Sequence, residues 1–328
     1  MQGKIILIGA GNIGSRHMQS LGKYQKILNI DVVDPDETSL NIARERFHEI
    51  KGNEKHVIRF MTNLDNLQDM YDVAILATNS KVRYALIEEL SKRNTNIKYY
   101  ILEKVLFQTE EEYYAAQKIF EKQRAKAWVN CALRSYEGYQ WLKERLADVN
   151  EFTVNVTGAA WGLGCNAIHY LDVICYLAGG DGTLQLNGDY LDPEVTEAKR
   201  VGYMEFTGII TGSKGKCRFF SIHASKEGDV PLLICIDAGH VQYCIFNEAQ
   251  KVIVYEKGEK GWTFMEKDFE IPWQSDRTSI GIESLLTTGT CRLPTYDESA
   301  EIHVQMIRIF IAHLRKNGKE DVKLCPIT

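Results

Sequence analysis

The chain has 328 residues, 45% hydrophobic and 25% charged, the balance of an ordinary globular protein and not of a disordered one. Its length suits two domains. A formal net charge of −5 argues against a generally basic nucleic-acid surface, and no apolar run approaches the roughly 20 residues of a spanning helix, so neither nucleic acid nor membrane is an expected partner.

The first apolar run, Ile5–Ile8, is too short for a signal-peptide core. The eight cysteines (Cys131, Cys165, Cys175, Cys217, Cys235, Cys244, Cys291 and Cys325) contain no C-x-x-C pair. A cytoplasmic protein with reduced, largely buried thiols is expected.

From the N-terminus to Asn130, short β-rich runs alternate with helical patterns. Strands are predicted at Lys4–Ile8, Ile30–Val33, Val57–Phe60, Val73–Ala77, Tyr99–Leu102 and Ala127–Asn130. Helices are predicted at Ile13–Leu21, Glu37–Phe47, Lys81–Ser91 and Glu110–Lys122. The near-continuous apolar strands suit a sheet covered on both faces. The alternation predicts an α/β doubly wound Rossmann domain over residues 1–130 with right-handed crossovers.

Gly9-Ala10-Gly11-Asn12-Ile13-Gly14 follows the first strand and opens the first helix. In such a G-x-G-x-x-G turn the first glycine permits the tight bend and the second lets a pyrophosphate approach the backbone. The third lets helix and strand pack closely. The helix N-terminus adds free N–H groups and partial positive charge. Asp34 ends the second strand, where a carboxylate accepts hydrogen bonds from the adenosine ribose. Pro35 and Asp36 follow, with no Arg or Lys to hold a 2′-phosphate, so the cofactor is expected to be NAD, with NADP disfavoured. Thr78-Asn79-Ser80 and Glu103-Lys104 stand at two more strand ends, where doubly wound sheets bind ligands. Thr78 and Asn79 are expected to contact ribose or pyrophosphate. Lys104 is expected to point at the nicotinamide and substrate position.

Beyond about residue 147 the pattern changes. One helix is predicted at Asn166–Leu177, then strands separated by turns at Thr211–Gly215, Asp237–His240 and Glu256–Gly261. Helices at Asp276–Thr287 and Glu298–Lys316 close the chain. Residues 131–328 are therefore expected to form an α+β substrate and assembly domain with a mostly antiparallel open sheet, the last helix returning to the first domain.

On the 166–177 helix, Ala167, Ile168, Leu171, Ile174, Cys175 and Ala178 form an apolar face. Cys165, His169, Asp172 and Tyr176 form a second stripe, suited to lining a cleft. His169 is the candidate general acid/base, since an imidazole titrates near neutral pH. His17 is expected to pack near the cofactor or to cap locally. Zinc is not expected: Cys165 and His169 lack the further ligands that a catalytic site needs.

These motifs, in this order, resemble the glucose–fructose oxidoreductase / inositol dehydrogenase (Gfo/Idh/MocA) family of NAD(P)-dependent oxidoreductases. Gly9–Gly14 with Arg16-His17, Asp34, Ala77–Ser80, Glu103-Lys104-Val105, Asn130–Arg134, Gly164–Asp172 and Leu293–Ser299 carry the resemblance along nearly the whole chain. The resemblance implies hydride transfer between nicotinamide and a carbinol or carbonyl carbon of a sugar, nucleotide-sugar, sugar acid or cyclitol. It implies Lys104 and His169 as catalytic residues, with Glu103 and Lys104 beside the cofactor. Arg134, Cys165, Asn166 and Asp172 are the candidate substrate residues. The expected assembly is a homodimer or homotetramer. The sequence departs from the family at Val105, where proline is usual, and at Cys165, where Asp is usual. Two alternatives therefore stay open: a non-catalytic NAD-binding sensor or scaffold, and a reductase of imine or biliverdin-type substrates.

Overall fold

A computed structural model describes residues 2–51, 53–93, 95–180 and 182–328. The chain divides into two compact units. The first comprises residues 1–107, 111–130 and 272–298, and the second residues 108–110, 131–271 and 299–328.

In the first unit, the chain runs β1 (Gly3–Ile8), α1 (Asn12–Gly22), β2 (Leu28–Val33), α2 (Glu37–His48), β3 (Val57–Met61), β4 (Met70–Leu76), α3 (Ser80–Lys92), β5 (Asn96–Leu102), α4 (Glu110–Gln123) and β6 (Lys126–Val129). All six strands are parallel, in the order β3-β2-β1-β4-β5-β6. This is the doubly wound plan, and it switches direction between β1 and β4. Ile5, Leu7, Val32, Val73 and Ile75 pack with Met18, Leu21 and Phe47 in a continuous core. That packing is why β1 and β4 read as unbroken apolar runs.

The second unit holds α5 (Glu137–Arg145), β7 (Phe152–Ala159), α6 (Leu163–Ala178), β8 (Gln185–Leu191), β9 (Thr196–Glu197), β10 (Met204–Glu205), β11 (Gly208–Lys214), β12 (Cys217–Ser225), β13 (Leu233–Asp237), β14 (Val241–Phe246), β15 (Lys251–Gly258) and β16 (Gly261–Asp268). Its eight-stranded sheet has the order β16-β15-β14-β13-β7-β12-β11-β8. The three turn signals each close an antiparallel hairpin. The expectation of a largely antiparallel sheet holds, with one parallel pair, β7 with β12, at its centre. Alternation is clean along β7, β13 and β14, whose buried residues include Val154, Val156, Ile234, Ile236, Tyr243 and Ile245.

Two helices close the chain, α7 (Gln274–Thr288) and α8 (Tyr296–Lys316). Ile282 and Leu285 of α7 join the core of the first unit. Among the described residues no helix is long and apolar enough to cross a membrane.

Candidate active site

The glycine loop takes the form that its three roles require. Gly9 N–H donates to Val33 O and Ala77 N–H to Ile8 O, each at 2.8 Å, fixing the end of β1 between β2 and β4. Gly9 has φ +94°, and a Cβ there would lie 2.9 Å from the Ala77 carbonyl. A Cβ on Gly14 would lie 1.8 Å from Gly9 O, whereas one on Gly11 would meet nothing within 4 Å. Two glycines thus serve close packing and the middle one faces open space. Gly11 is the N-cap of α1 and makes no side-chain cap, so no side-chain cap competes for the amides of the first turn.

Asp34 closes the loop from β2. Its Oδ2 accepts from Ala10 N–H at 2.7 Å and its Oδ1 from Asp36 N–H at 2.9 Å. Each carboxylate oxygen keeps a second lone pair for a further donor. Asp36 caps α2 by accepting from Thr38 and Ser39 N–H, each at 3.1 Å. Asn79 caps α3, accepting from Lys81 N–H at 3.1 Å. The Thr78 hydroxyl is buried and meets no hydrogen-bond partner among the described residues. An open cradle over Gly11, uncapped helix amides and an orphaned hydroxyl on the neighbouring strand end fit a dinucleotide.

At the end of β5, Glu103 is enclosed in a polar cluster. His17 Nε2 meets Glu103 Oε1 at 2.9 Å and His17 Nδ1 meets Thr278 Oγ1 at 2.8 Å. Asn130 Nδ2 donates to Glu103 Oε1, and to Gln274 Oε1 at 2.9 Å. Burial alone would raise the Glu103 carboxyl. The hydrogen bond and charge of His17, the Asn130 amide and the Arg83 charge outweigh it and lower its pKa. Both ring nitrogens of His17 are thus engaged by side chains of the β5 end and of α7. Lys104 is half-buried, and the Lys104–Val105 peptide is cis although residue 105 is not proline. Arg83, fully buried on α3, donates to Val105 O at 2.5 Å, to Leu106 O at 2.7 Å, and to Thr78 O. Nothing in its local pattern distinguishes this arginine from a solvated one.

In the second unit, the N-cap of α6 is Gly162, whose φ is +79°. The Glu205 carboxylate of β10 accepts from Gly164 N–H, and from Phe206 N–H at 2.9 Å. A carboxylate there complements the helix N-terminus. Cys165 Sγ lies 3.7 Å from Glu205 Oε2, and Asn166 Nδ2 donates to Trp161 O at 2.8 Å. Thus a carboxylate does stand beside Cys165, supplied from a two-residue strand that carries no sequence signal.

The stripe predicted on α6 divides. His169 and Asn166 line a cavity of about 300 Å³, together with Tyr136, Trp161, Tyr170 and Glu248. Asp172 is 0% exposed and is held bidentately by Arg134, at 2.8 Å from Nε and 2.7 Å from Nη2. Neither Arg134 nor Asp172 lines the cavity. Among the described residues no group of three His, Cys, Asp or Glu side chains is placed to hold a metal ion.

Residues 4–131 match the oxidoreductase family with NAD-binding Rossmann fold, Gfo/Idh/MocA. No curated protein sequence matches the chain significantly. Several solved structures share the fold across nearly the full length. One is an oxidoreductase from Agrobacterium radiobacter in complex with NAD+, L-tartaric acid and magnesium, 16% identical, covering 96% of this chain and 97% of its own, with a TM-score of 0.70. A second is the UDP-N-acetylglucosamine 3-dehydrogenase GnnA from Acidithiobacillus ferrooxidans, 11% identical, covering 95% and 98%, with a TM-score of 0.70. A third is a super-repressor mutant of Gal80p from Saccharomyces cerevisiae, 12% identical, covering 96% and 97%, with a TM-score of 0.72.

Proposed function

We propose, from the match of residues 4–131 to the Gfo/Idh/MocA oxidoreductase family with NAD-binding Rossmann fold, that the chain transfers a hydride between nicotinamide and a carbinol or carbonyl carbon. The substrate class is a sugar, nucleotide-sugar, sugar acid or cyclitol, and the setting is the cytoplasm. The observation that carries the reading is the cradle over Gly11, open where Gly9 and Gly14 are filled. The amides of Gly11, Asn12, Ile13 and Gly14 receive the pyrophosphate, and Asp34 accepts from the ribose. Thr78 and Asn79 offer a hydroxyl and an amide at the next strand end. When bound, NAD supplies the two-electron chemistry at nicotinamide C4.

His169 takes the proton of the reacting hydroxyl, and Lys104 donates to the oxygen as charge develops on it. Glu103, enclosed by His17 and Asn130, acts by fixing the turn that carries Lys104. Arg134 and Asp172 act by tying α6 to the segment before α5, and Cys165 and Asn166 shape the N-terminal turn beside His169. The proposed assembly is a homodimer or homotetramer, checked by sedimentation. Calorimetry with NAD, followed by NADH absorbance over a panel of sugars, tests the whole. Turnover that falls about 10² or more in His169→Ala and in Lys104→Ala supports it, the usual scale of acid–base catalysis. NAD binding without turnover of any compound favours a non-catalytic sensor. Reduction of imines alone favours the imine-type reductase.

A further inference from the structure

The cavity beside His169 has a chemical bias of its own. One side is aromatic: Tyr136, Trp161 and Tyr170 line it, the last two edge-to-face with ring centroids 5.3 Å apart. Such rings accept the C–H faces of a pyranose, while a few polar groups fix its orientation. Two of those polar groups come from the turn between β14 and β15, where Asn247 and Glu248 reach the cavity. Asn247 N–H is engaged by Leu232 O at 3.3 Å. Its side-chain oxygen Oδ1 is buried and meets no donor among the described residues. The residue is only half-buried, and an unmet amide oxygen favours a turn of the side chain that brings it to a ligand hydroxyl or N–H in the cavity. Glu248 adds a carboxylate, and among the described residues lining the cavity there is no Lys or Arg to offset it. A carboxylate or phosphate on the seated ring would meet like charge; a hydroxyl, ammonium or amide N–H would be matched.

We propose that Asn247 and Glu248 are specificity residues, and that the ring seated in this cavity is a neutral or amino sugar and not a sugar acid or sugar phosphate. The assignment rests on the oxidoreductase reading only for this ring being the one that reacts. It narrows the substrate class by a repulsive element as well as an attractive one.

The test is equilibrium binding to the full chain with NAD present, by saturation-transfer NMR and calorimetry. The probes are D-glucose, D-glucosamine and D-glucuronate, with UDP-glucose and UDP-glucuronate as a matched pair. Each uronate is expected to bind at least about tenfold more weakly than its neutral partner, a gap on the scale of one partly screened charge pair. Glu248→Gln is expected to bring the gap within about threefold, and Glu248→Lys to reverse it. Asn247→Ala is expected to weaken glucose and glucosamine about tenfold with little change in thermal midpoint. Uronates that bind as tightly as their neutral partners, a ratio unmoved by Glu248→Gln, or no binding by any probe overturns the proposal. The expected binding order with no NADH formed from any probe or from the wider sugar panel overturns the oxidoreductase reading and leaves the specificity assignment standing.

Discussion

Glu103 Oε1 and His17 Nε2 lie 2.9 Å apart, their side chains 8% and 1% exposed. The contact places an acid of the β5 end against a side chain of the helix that follows the glycine loop. Burial opposes ionisation of Glu103, but His17, Asn130 and Arg83 overcome it and its pKa is lowered in the folded protein. A lowered carboxyl contributes stability that is present above its unfolded value, roughly 4.3, and lost as pH falls through the folded value. Urea midpoints of the wild type are therefore expected to drop on acidification below about pH 4.5, and those of Glu103→Gln to drop less. At neutral pH the variant is expected to be less stable by roughly 1–3 kcal/mol. Equal pH slopes in the two proteins would rule out this linkage.

Arg83 holds the turn that carries Lys104 to the turn that carries Thr78, through the carbonyls of Val105, Leu106 and Thr78. A lysine has no planar fork with which to reach three carbonyls. Arg83→Lys is expected to lose roughly 3 kcal/mol of stability, from two charge-assisted bonds that it cannot remake. NAD affinity is expected to fall about tenfold with it, as both strand ends loosen. A folded variant with unchanged NAD affinity would confine Arg83 to a structural role.

What was legible in the sequence was local. The glycine loop and Asp34 act through backbone geometry at fixed spacing, and the buried strands announce themselves as apolar runs. Partners distant along the chain were hidden. His17 reads as a neighbour of the cofactor or a cap, and its partners Glu103, Gln274 and Thr278, which lie 86, 257 and 261 residues away, cannot be read from its local pattern. Helical periodicity puts Asp172 on the His169 stripe, and the residue that captures it, Arg134, lies 38 positions upstream. Glu205 arrives from a two-residue strand. The β14–β15 turn is Asn-Glu-Ala-Gln, without glycine or proline, because Gln250 itself takes φ +51°. With Asn247 as its one turn-favouring residue, the hairpin is weakly marked, and nothing in the pattern singles out Asn247 and Glu248.

Gly11 and Gly14 separate binding from folding. Gly14→Ala places a methyl group within bonding range of Gly9 O and is expected to destabilise by about 3 kcal/mol or more, as overpacking against backbone does. Gly11→Ala meets open space and is expected to keep its stability within about 1 kcal/mol, the scale of the N-cap preference. Its methyl group would occupy the pyrophosphate approach, so NAD affinity is expected to fall about tenfold or more. Thermal melts with calorimetry on both variants check the contrast. Undiminished NAD affinity in Gly11→Ala would place the cofactor elsewhere.

Cys235 and Cys244 are directly opposed on β13 and β14, with sulfurs 3.5 Å apart. Opposed residues on antiparallel strands have Cα spacings within disulfide range. Burial first, then the Cys244 contact and charge and the Asp237 charge, push the Cys235 thiol up to about 12. Little Cys235 thiolate is present at neutral pH, and both sulfurs must react, so cross-linking by a diazene oxidant such as diamide is expected to be slow there and to accelerate as pH rises towards that value. Peptide mass spectrometry over a pH series measures it. A rate independent of pH would contradict the raised thiol.

Arg134 and Asp172 form a bidentate pair with side chains 7% and 0% exposed. A pair so enclosed is costly to desolvate, and its removal as a unit differs from the loss of either half. Arg134→Met strands a buried carboxylate, and Asp172→Leu strands a buried guanidinium. Each is expected to destabilise by roughly 3–5 kcal/mol, and the double variant by clearly less than their sum. If the pair positions α6 without touching substrate, a folded double variant is expected to change kcat and KM modestly and together. A large rise in KM with kcat unchanged would instead show that Arg134 or Asp172 holds the substrate directly. The cycle thus decides between two roles that the spacing on α6 leaves equal, and burial of the carboxylate favours the positioning one.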